Sequence, residues 1–328
     1  GIARMRYRKL GHSGLHCSVI GLGSWLTFGN AVDRETARAC IMRAWEDGVN
    51  FIDTANVYAR GAAEETLGPI LKELERGALV LATKAYFPMG EGVMERGLSR
   101  KHLRDQLDRS LQRLQVDYVD LYQCHRFDET TPLEETCRAM DDFVRQGKIL
   151  YWGVSEWNAD RIVAAATLCA GNGWAVPISN QPQYSALWRR VEARVLPACN
   201  EYGLGNVVWS PLAMGILTGK YASVEHVPAG TRAAGPFKEM MEDYFTPEIL
   251  AAVQRVVPLA KEAGITPAQL ALTWCLRRPE VTSAIVGATK IEHLEDSLAA
   301  GDLDVDPAVF EAMDRILEPV APSEPYLA

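Results

Sequence analysis

Residues 49–58 read V-N-F-I-D-T-A-N-V-Y, a short apolar run that ends on Asp53 and is followed one turn later by Tyr58. Two more apolar runs end on a polar side chain: A-L-V-L-A-T-K (78–84) on Lys84 and Y-V-D-L-Y-Q-C-H (118–125) on His125. Runs of this length are typical of buried parallel strands. Because the C-terminal ends of such strands converge on one face of an α/β barrel, we expect the four polar side chains to gather there.

The rest of the chain alternates short apolar runs with helical segments. We predict strands at 17–23, 49–53, 79–84, 118–124, 149–154, 176–180, 206–210 and 283–287. Two helix starts are marked by T-P-L-E (131–134) and T-P-A-Q (266–269), in which a threonine N-cap precedes a proline and a residue that closes a capping box. Eight strands, each followed by a helix, predict an α/β fold of the (β/α)8 TIM barrel type.

Two segments depart from this alternation. Before the first barrel strand, M-R-Y-R-K-L and L-H-C-S-V-I flank a turn bracketed by Gly11 and Gly14, which predicts an N-terminal β-hairpin. After the seventh strand, residues 212–246 form a long irregular loop, either a clamp on cofactor or substrate or a plain surface excursion. An open doubly wound sheet would alternate similarly, but Gly21 and Gly23 lack the third glycine of a dinucleotide-binding turn.

The composition of the 328 residues, 48% hydrophobic and 23% charged, is that of a globular protein. No flexible linker divides the chain, so we expect one domain spanning 1–328, with 319–328 as a mobile or draped tail. A net charge of −8 without a basic stripe argues against a nucleic-acid partner. No apolar run reaches the roughly 18 residues of a membrane span. The N-terminus lacks a secretory apolar stretch, which favours a cytoplasmic protein.

The seven cysteines show neither a C-x-x-C pair nor the spacing of a metal finger. We expect buried, reduced thiols that pack as small apolar side chains. His12, His16 and Cys17 are close in sequence but have no carboxylate beside them, so we predict no metal site.

The four residues at the strand ends form a complete set for acid catalysis. A free phenol has a pKa of about 10 and is a poor proton donor at neutral pH. An ammonium about 4 Å away favours the phenolate by up to ~4 kcal/mol at an effective dielectric of about 20, so we expect Lys84 to lower the pKa of Tyr58. Asp53 would keep Lys84 charged, and His125 would orient a substrate oxygen.

These roles predict an enzyme that reduces carbonyl compounds. The residues leave one other reaction open, that of a barrel lyase or aldolase with Lys84 as a Schiff-base nucleophile. An apolar substrate pocket is predicted to be walled by four aromatic side chains: Trp25, Tyr86, Phe87 and Trp157.

Motifs along nearly the whole chain resemble the aldo-keto reductase superfamily: G-L-G-S-W (21–25), F-I-D-T-A-N-V-Y (51–58), L-A-T-K (81–84), Y-V-D-L-Y-Q-C-H (118–125), Y-W-G-V-S (151–155), N-Q-P-Q-Y (180–184), W-S-P-L-A-M-G (209–215) and I-V-G-A-T (285–289). Three more resemble the branch that includes the potassium-channel β-subunits and related bacterial and plant reductases: G-L-S-R-K-H-L (97–103), R-L-Q-V-D-Y-V-D (113–120) and T-P-L-E-E-T-C-R-A-M (131–140). The resemblance implies a (β/α)8 barrel that binds a nicotinamide cofactor without a Rossmann unit. It also implies a catalytic tetrad of Asp53, Tyr58, Lys84 and His125.

The same resemblance implies where the cofactor lies. Ser155 and Gln181 would contact the nicotinamide carboxamide, and Tyr184 would lie beneath its ring. The other implied cofactor positions are Ser24, Trp25, Trp209, Ser210, Pro211, Leu212, Ala213 and Gly215 along the nicotinamide and pyrophosphate, and Lys220, Arg232, Gly287, Thr289, His293 and Ser297 around the adenosine. A lysine and an arginine aimed at one phosphate favour NADPH over NADH.

Some residues depart from the branch. The channel β-subunits carry asparagine where this chain has His125, so the resemblance implies a competent reductase of small-molecule aldehydes and ketones. The alternative is an NADPH-binding regulatory or sensing subunit with little turnover. Glu156 stands where the branch often has a basic or amide side chain. Members of the branch are often oligomeric, so a homo-oligomer is compatible with the resemblance, but the sequence identifies neither an interface nor the physiological substrate.

Overall fold

The computed structural model of the chain describes residues 4–25, 33–235, 238–287 and 290–325. A two-stranded antiparallel hairpin comes first, formed by β1 (Tyr7–Lys9) and β2 (His16–Ser18). Eight parallel strands then close into a barrel: β3 (Ile20–Gly23), β4 (Phe51–Asp53), β5 (Val80–Ala85), β6 (Val119–Cys124), β7 (Ile149–Ser155), β8 (Ser179–Gln181), β9 (Gly205–Val208) and β10 (Val281–Val286). Each strand pairs with the next along the chain, and β10 pairs with β3 to close the ring. The predicted barrel and hairpin are confirmed.

Helices cover the outside of the barrel. Their bounds are α1 (Arg34–Glu46), α2 (Ala62–Leu71), α3 (Arg100–Leu114), α4 (Leu133–Arg145), α5 (Ala159–Asn172), α6 (Val195–Tyr202), α7 (Pro247–Glu262), α8 (Pro267–Leu276), α9 (Ile291–Ala299) and α10 (Pro307–Leu317). In α3, Leu103, Leu107 and Leu114 fall on the face turned toward the barrel and are buried, as the helical spacing requires.

Two local predictions need correction. The strand expected at 17–23 is divided, because Val19 bonds back to Arg6 while β3 starts at Ile20 and pairs with the barrel. The T-P-L-E start also differs, since the hydroxyl of Thr131 donates to Asp128 (2.6 Å) and the helix begins after Pro132 without a side-chain cap. By contrast, Thr266 and Gln269 form the predicted capping box of α8.

The interior of the barrel is filled by an apolar cluster that the hairpin helps to close. Leu10 and Cys17 of the hairpin segment pack with inward-facing strand residues such as Phe51 and Leu121. These contacts lie at the N-terminal ends of the strands, so the hairpin covers the bottom of the barrel. All seven cysteines are buried and free, which confirms the expectation from their spacing.

The described residues of the long segment after β9 form short 3-10 turns at Ile216–Thr218, Arg232–Ala234 and Lys238–Met241. Within the described residues, no helix has the length and apolar character needed to cross a membrane. The described part of the C-terminal extension lies against the segment between β8 and α6, because the carbonyls of Pro322 and Glu324 accept hydrogen bonds from Arg189 and Arg190.

Candidate active site

The four predicted catalytic side chains lie together at the C-terminal ends of three neighbouring strands. Asp53 is the last residue of β4, Lys84 lies near the end of β5, and His125 directly follows β6. Tyr58 opens a 3-10 turn that leaves β4, so its ring returns over the strand ends. The fold therefore brings these residues together because polar side chains at the ends of parallel strands share one face of the barrel.

The ammonium of Lys84 is the centre of this group. Its Nζ donates to Asp53 Oδ2 (2.7 Å), to the carbonyl of Thr54 (2.9 Å) and to the hydroxyl of Tyr58 (3.0 Å). Lys84 has no exposed surface and Asp53 is only 3% exposed. A buried ammonium with three oxygen acceptors, one of them a carboxylate, has the charge and hydrogen-bond partners that burial demands.

The second oxygen of Asp53 holds two amides that the sequence argument did not place there. Oδ1 accepts bonds from Gln123 Nε2 (3.1 Å) and Gln181 Nε2 (3.2 Å), and Gln181 also donates to Gln123 Oε1 (3.1 Å). The side chain of Gln181 is therefore used to orient Asp53. Gln123 could have been identified from its spacing, since it lies two residues before His125 on the same face of β6 and pairs with Lys84 across the sheet.

The pKa values follow from burial and from these contacts. Burial lowers the pKa of Lys84, but Asp53 and Tyr58 outweigh it and leave the pKa above its ordinary value. Burial raises the pKa of Tyr58, and the opposing charge of Lys84 does not cancel it. Lys84 lowers the pKa of Tyr58, as expected, through its charge and its hydrogen bond, but desolvation is larger and leaves the pKa above its ordinary value. Tyr58 stays protonated at neutral pH.

His125 is held as a neutral imidazole. Burial, and then the charges of Lys84 and Arg126, lower its pKa well below the ordinary value. Its Nδ1 is buried without a hydrogen-bond partner among the described residues. Its ring meets the ring of Tyr58 edge to face, with centroids 5.7 Å apart. A neutral histidine beside the phenol offers one N–H donor and does not compete with Tyr58 as an acid.

Three of the four predicted pocket aromatics are partly exposed around this group. The ring centroids of Tyr86 and Phe87 are 5.1 Å apart, and those of Phe87 and His125 are 4.8 Å apart. On the other side, Trp25 meets Trp209 edge to face at 6.1 Å. Apolar rings thus flank the polar group from two sides.

Trp157 does not belong to this wall. It is 2% exposed, belongs to the main apolar core and packs its ring against that of Phe127, with centroids 5.0 Å apart. This corrects the expectation that Trp157 lines the substrate pocket.

Tyr184 is also placed differently from the expectation. It has no exposed surface, its ring packs against Trp274 of α8 (5.1 Å), and its hydroxyl donates to Glu192 (2.5 Å) and accepts from Arg277 (3.2 Å). A ring covered on all sides by protein presents no face to a cofactor. The structure therefore gives Tyr184 a packing role, and Trp209 is the partly exposed aromatic residue nearby.

Glu156, at the end of β7, fixes that tryptophan. Its Oε1 accepts bonds from the indole Nε1 of Trp209 (3.1 Å) and from the backbone N–H of Gln183 (2.5 Å). Burial raises its pKa, and these two donors and the charges of Arg126 and Arg190 oppose the rise. Glu156 thus links the ends of β7, β8 and β9 around the mouth of the barrel, which is the opening at the C-terminal ends of the strands. Its acidic character alone did not predict this role.

Backbone strain also concentrates around this end of the barrel. Six residues other than glycine with positive φ lie in segments that follow the strand ends: Ala59, Arg60, Glu156, Ser210, Ala213 and Met214. Left-handed conformations of this kind cost on the order of 1–3 kcal/mol each and are found preferentially at functional sites. The segment 209–215, predicted to line a pyrophosphate, carries half of them, together with Gly215 at φ 92°.

A group of cations lies beyond that segment. The pKa of Lys220 is lowered by partial desolvation and then by the charges of Arg232 and Lys290. Burial also lowers the pKa of Arg232, whose guanidinium donates to Met214 Sδ (3.4 Å). None of the three has a carboxylate within ion-pair distance among the described residues. Lys290 was not predicted from the sequence; it lies four residues after β10 and directly before α9.

The remaining predicted cofactor residues differ in their burial and contacts. Ser24 is fully buried and donates to Thr54 (2.7 Å), while Ser155 donates to the carbonyl of Gln181 (2.8 Å). On α9, Ser297 is buried and His293 is exposed. Gly287 is exposed directly after β10. Pro211 is covered and Leu212 is half-buried. Thr289 lies outside the described residues.

Comparisons with known proteins agree with this geometry. The model of the aldo/keto reductase family matches residues 19–318. A probable voltage-gated potassium channel subunit beta from Oryza sativa subsp. japonica is 43% identical over 326 residues, which cover 98% of each chain. A protein of the same description from Arabidopsis thaliana is 39% identical over 320 residues, covering 96% of this chain and 97% of the relative. A putative voltage-gated potassium channel subunit beta from Schizosaccharomyces pombe is 39% identical over 321 residues, covering 95% and 93%. On these grounds the chain is a member of the aldo/keto reductase family and an NAD(P)H-dependent oxidoreductase.

Proposed function

We propose that this protein reduces aldehydes and ketones to alcohols with NADPH, and that Tyr58 donates the proton. The observation that carries the proposal is the contact of the Tyr58 hydroxyl with Lys84 Nζ at 3.0 Å, where Asp53 holds the ammonium at 2.7 Å. A protonated phenol backed by a fixed cation is suited to stabilise negative charge that develops on a carbonyl oxygen.

The residues at the barrel mouth fit a phosphorylated nicotinamide cofactor. Lys220, Arg232 and Lys290 bring three positive charges together with no carboxylate between them among the described residues, an arrangement that an anion would stabilise. The strained segment 209–215, predicted to line the pyrophosphate, contacts this cation group through the hydrogen bond from Arg232 to Met214 Sδ (3.4 Å). When bound, the reduced nicotinamide supplies a hydride to the carbonyl carbon.

The chain itself supplies the proton and the orientation. The O–H of Tyr58 donates to the carbonyl oxygen, and the proton moves to that oxygen as its negative charge grows. Lys84 stabilises the phenolate that remains, and Asp53 keeps Lys84 charged and in place. The neutral imidazole of His125 donates a hydrogen bond that orients the carbonyl. The half-buried rings of Phe87 and Trp25 limit access of water to the reacting atoms.

We expect Tyr58→Phe to reduce kcat by about 100-fold or more, since a positioned general acid contributes about 10²–10⁴. The substitution keeps the ring that packs on His125 and removes only the hydroxyl. The test follows oxidation of NADPH by absorbance with 4-nitrobenzaldehyde as substrate. The matched control is Tyr118→Phe, where the tyrosine precedes β6 at the opposite end of the barrel and stacks with Arg76. An undiminished rate in Tyr58→Phe would remove Tyr58 from the mechanism.

A second function is favoured by the names of the relatives, which describe potassium channel β-subunits. In that case the protein would bind NADPH, turn over slowly and regulate a partner. The same assay separates the two functions. Tight binding of NADPH by the wild type, with no aldehyde consumed, would support the regulatory subunit and contradict the reductase.

A further inference from the structure

Arg126 directly follows His125 and is fixed beside the proposed proton donor. Its Nη1 donates to the carbonyl of His125 (2.6 Å) and to Ser155 Oγ (3.3 Å). Its guanidinium lies 5.4 Å from the ring centroid of Phe87, which in turn packs on the ring of His125. Arg126 is only partly exposed. The guanidinium therefore has a defined position at the rim of the proposed active site.

Within the described part of the chain, Arg126 has neither a carboxylate at ion-pair distance nor a hydrogen bond from Nε or Nη2. Two other half-buried arginines are paired with carboxylates, Arg113 with Glu64 and Arg189 with Glu192, both at 2.9 Å. Half-buried Arg8 instead donates to three backbone carbonyls. The acid whose pKa Arg126 affects is Glu156, but the Oε1 of that residue is already bound to Gln183 and Trp209. Among the described residues, the Nε and Nη2 edge of Arg126 thus has no carboxylate at ion-pair distance, although Nη1 is bound.

The free side of this guanidinium has the geometry that binds a carboxylate. Nε and Nη2 form one edge, from which two parallel N–H bonds can reach both oxygens of an acid group. The chain uses the same edge elsewhere, since Arg38 donates through Nε (2.7 Å) and Nη2 (2.6 Å) to the two oxygens of Glu73. The charge of Arg126 also lowers the pKa of both Tyr58 and His125, so an anion bound to it would lie within electrostatic reach of these groups.

We propose that Arg126 recognises a carboxylate on the carbonyl substrate, so that the preferred substrates are aldehydes or ketones that carry an acid group. The proposal rests on the reductase function proposed above and names its substrate class. Arginine is the side chain suited to this task, because its planar fork matches a carboxylate better than a point charge does. The rings of Tyr86 and Phe87 beside it would pack on the part of the substrate that joins the two groups.

The test compares two aldehydes of similar shape, 4-formylbenzoate and neutral 4-nitrobenzaldehyde. The measured quantity is the ratio of their kcat/KM values, so that any general change in the enzyme divides out. We expect the ratio to fall about tenfold or more in Arg126→Gln, mainly through a higher KM for 4-formylbenzoate, and to recover in part in Arg126→Lys. The control is Arg109→Gln, which removes one charge from the exposed face of α3 and leaves the ratio at the wild-type value.

Two further measurements are needed. One identifies whether the anion is a substrate carboxylate or a cofactor phosphate, and the other shows which of the two proposals has failed. If Arg126→Gln weakens NADPH binding, measured by tryptophan fluorescence, and leaves the aldehyde ratio unchanged, the anion is a cofactor phosphate and the substrate proposal is wrong. If the wild type reduces neither aldehyde, the reductase function fails. Titration of the protein–NADP⁺ complex with 4-formylbenzoate then tests Arg126 directly, since equal affinity in wild type and Arg126→Gln contradicts the inference.

Discussion

At the scale of single residues, we expect three cations of the barrel mouth to set the proposed cofactor preference. Burial, and then the charges of Arg232 and Lys290, lower the pKa of Lys220, and a bound 2′-phosphate would offset that repulsion of Lys220. NADH has no such phosphate, so its binding gains nothing from the cluster. The combined positive charge of the three side chains, more than any single hydrogen bond, would therefore determine the preference for NADPH over NADH.

We expect Lys220→Met to weaken NADPH binding by about tenfold at low salt and to leave NADH binding within about twofold of the wild type. The control is Lys72→Met, which removes an exposed lysine at the end of α2. Dissociation constants for both cofactors, measured by fluorescence quenching, check the result. An equal loss for NADPH and NADH would show that Lys220 does not contact the phosphate that distinguishes them.

The pH dependence has a defined sign. The pKa of Lys220 is lowered, so this lysine loses its charge at a lower pH than an ordinary lysine, and the NADPH preference should decline as the pH rises toward that value.

At the scale of elements, capping residues determine where helices begin. The chain has two similar helix starts, T-P-L-E at 131–134 and T-P-A-Q at 266–269, but only the second forms the predicted cap. Thr266 accepts the backbone N–H of Gln269 (3.2 Å) and donates to Asp296 of α9 (3.0 Å). We expect Thr266→Ala to lower the free energy of unfolding by about 1 kcal/mol or more, since a lost cap costs about 0.5–2 kcal/mol. Thr266→Ser keeps the hydroxyl and should retain most of the stability. Urea unfolding of both variants tests this, and equal losses would show that the methyl group matters and the cap does not.

Most of the architecture could be predicted from the sequence, because it depends on local patterns. Asp53, Lys84 and His125 end apolar runs, and that spacing alone places them on one face of a barrel. The T-P-L-E start was wrong because Thr131 has a competing acceptor, Asp128, three residues earlier. Local patterns do not show which of two nearby partners a hydroxyl will choose.

The predictions at the candidate site that differ from the structure concern side chains whose burial the sequence does not reveal. Tyr184 and Trp157 are aromatic residues near strand ends, as Phe87 and Trp25 are, and only the packed structure shows that neighbours cover the first two. The effect of Lys84 on the pKa of Tyr58 was predicted in the right direction, but the larger opposing effect of burial depends on surrounding atoms that the sequence does not place. The proposed role of Arg126 and the contacts of Glu156 with Trp209 and Gln183 were not predicted, because both depend on side-chain positions that the sequence does not show.

At the scale of the whole molecule, the two ends of the barrel differ: the proposed chemistry lies at one end, and the other end contributes to the stability of the fold. The proposed reactive groups and most of the strained backbone lie at the C-terminal ends of the strands. At the other end, the hairpin turn packs against the start of β9, where the N–H of His12 bonds to the carbonyl of Gly203 (3.0 Å). Substitutions at the bottom of the barrel should therefore change the stability of the fold and leave cofactor binding by the folded protein intact.

Two glycines of one turn test this division. Gly11 has a φ of +59°, and a Cβ there would lie 2.2 Å from the carbonyl oxygen of Gly203, whereas a Cβ on Gly14 would meet nothing within 4 Å. We expect Gly11→Ala to lower the free energy of unfolding by at least ~2 kcal/mol, since the left-handed backbone alone costs about 1–2 kcal/mol and the backbone contact adds to it. Gly14→Ala should stay within about 0.5 kcal/mol of the wild type. Urea unfolding gives both values, and titration with NADPH under native conditions should give the wild-type dissociation constant for each folded variant. A weaker NADPH affinity in folded Gly11→Ala would mean that the hairpin and the mouth are coupled through the barrel.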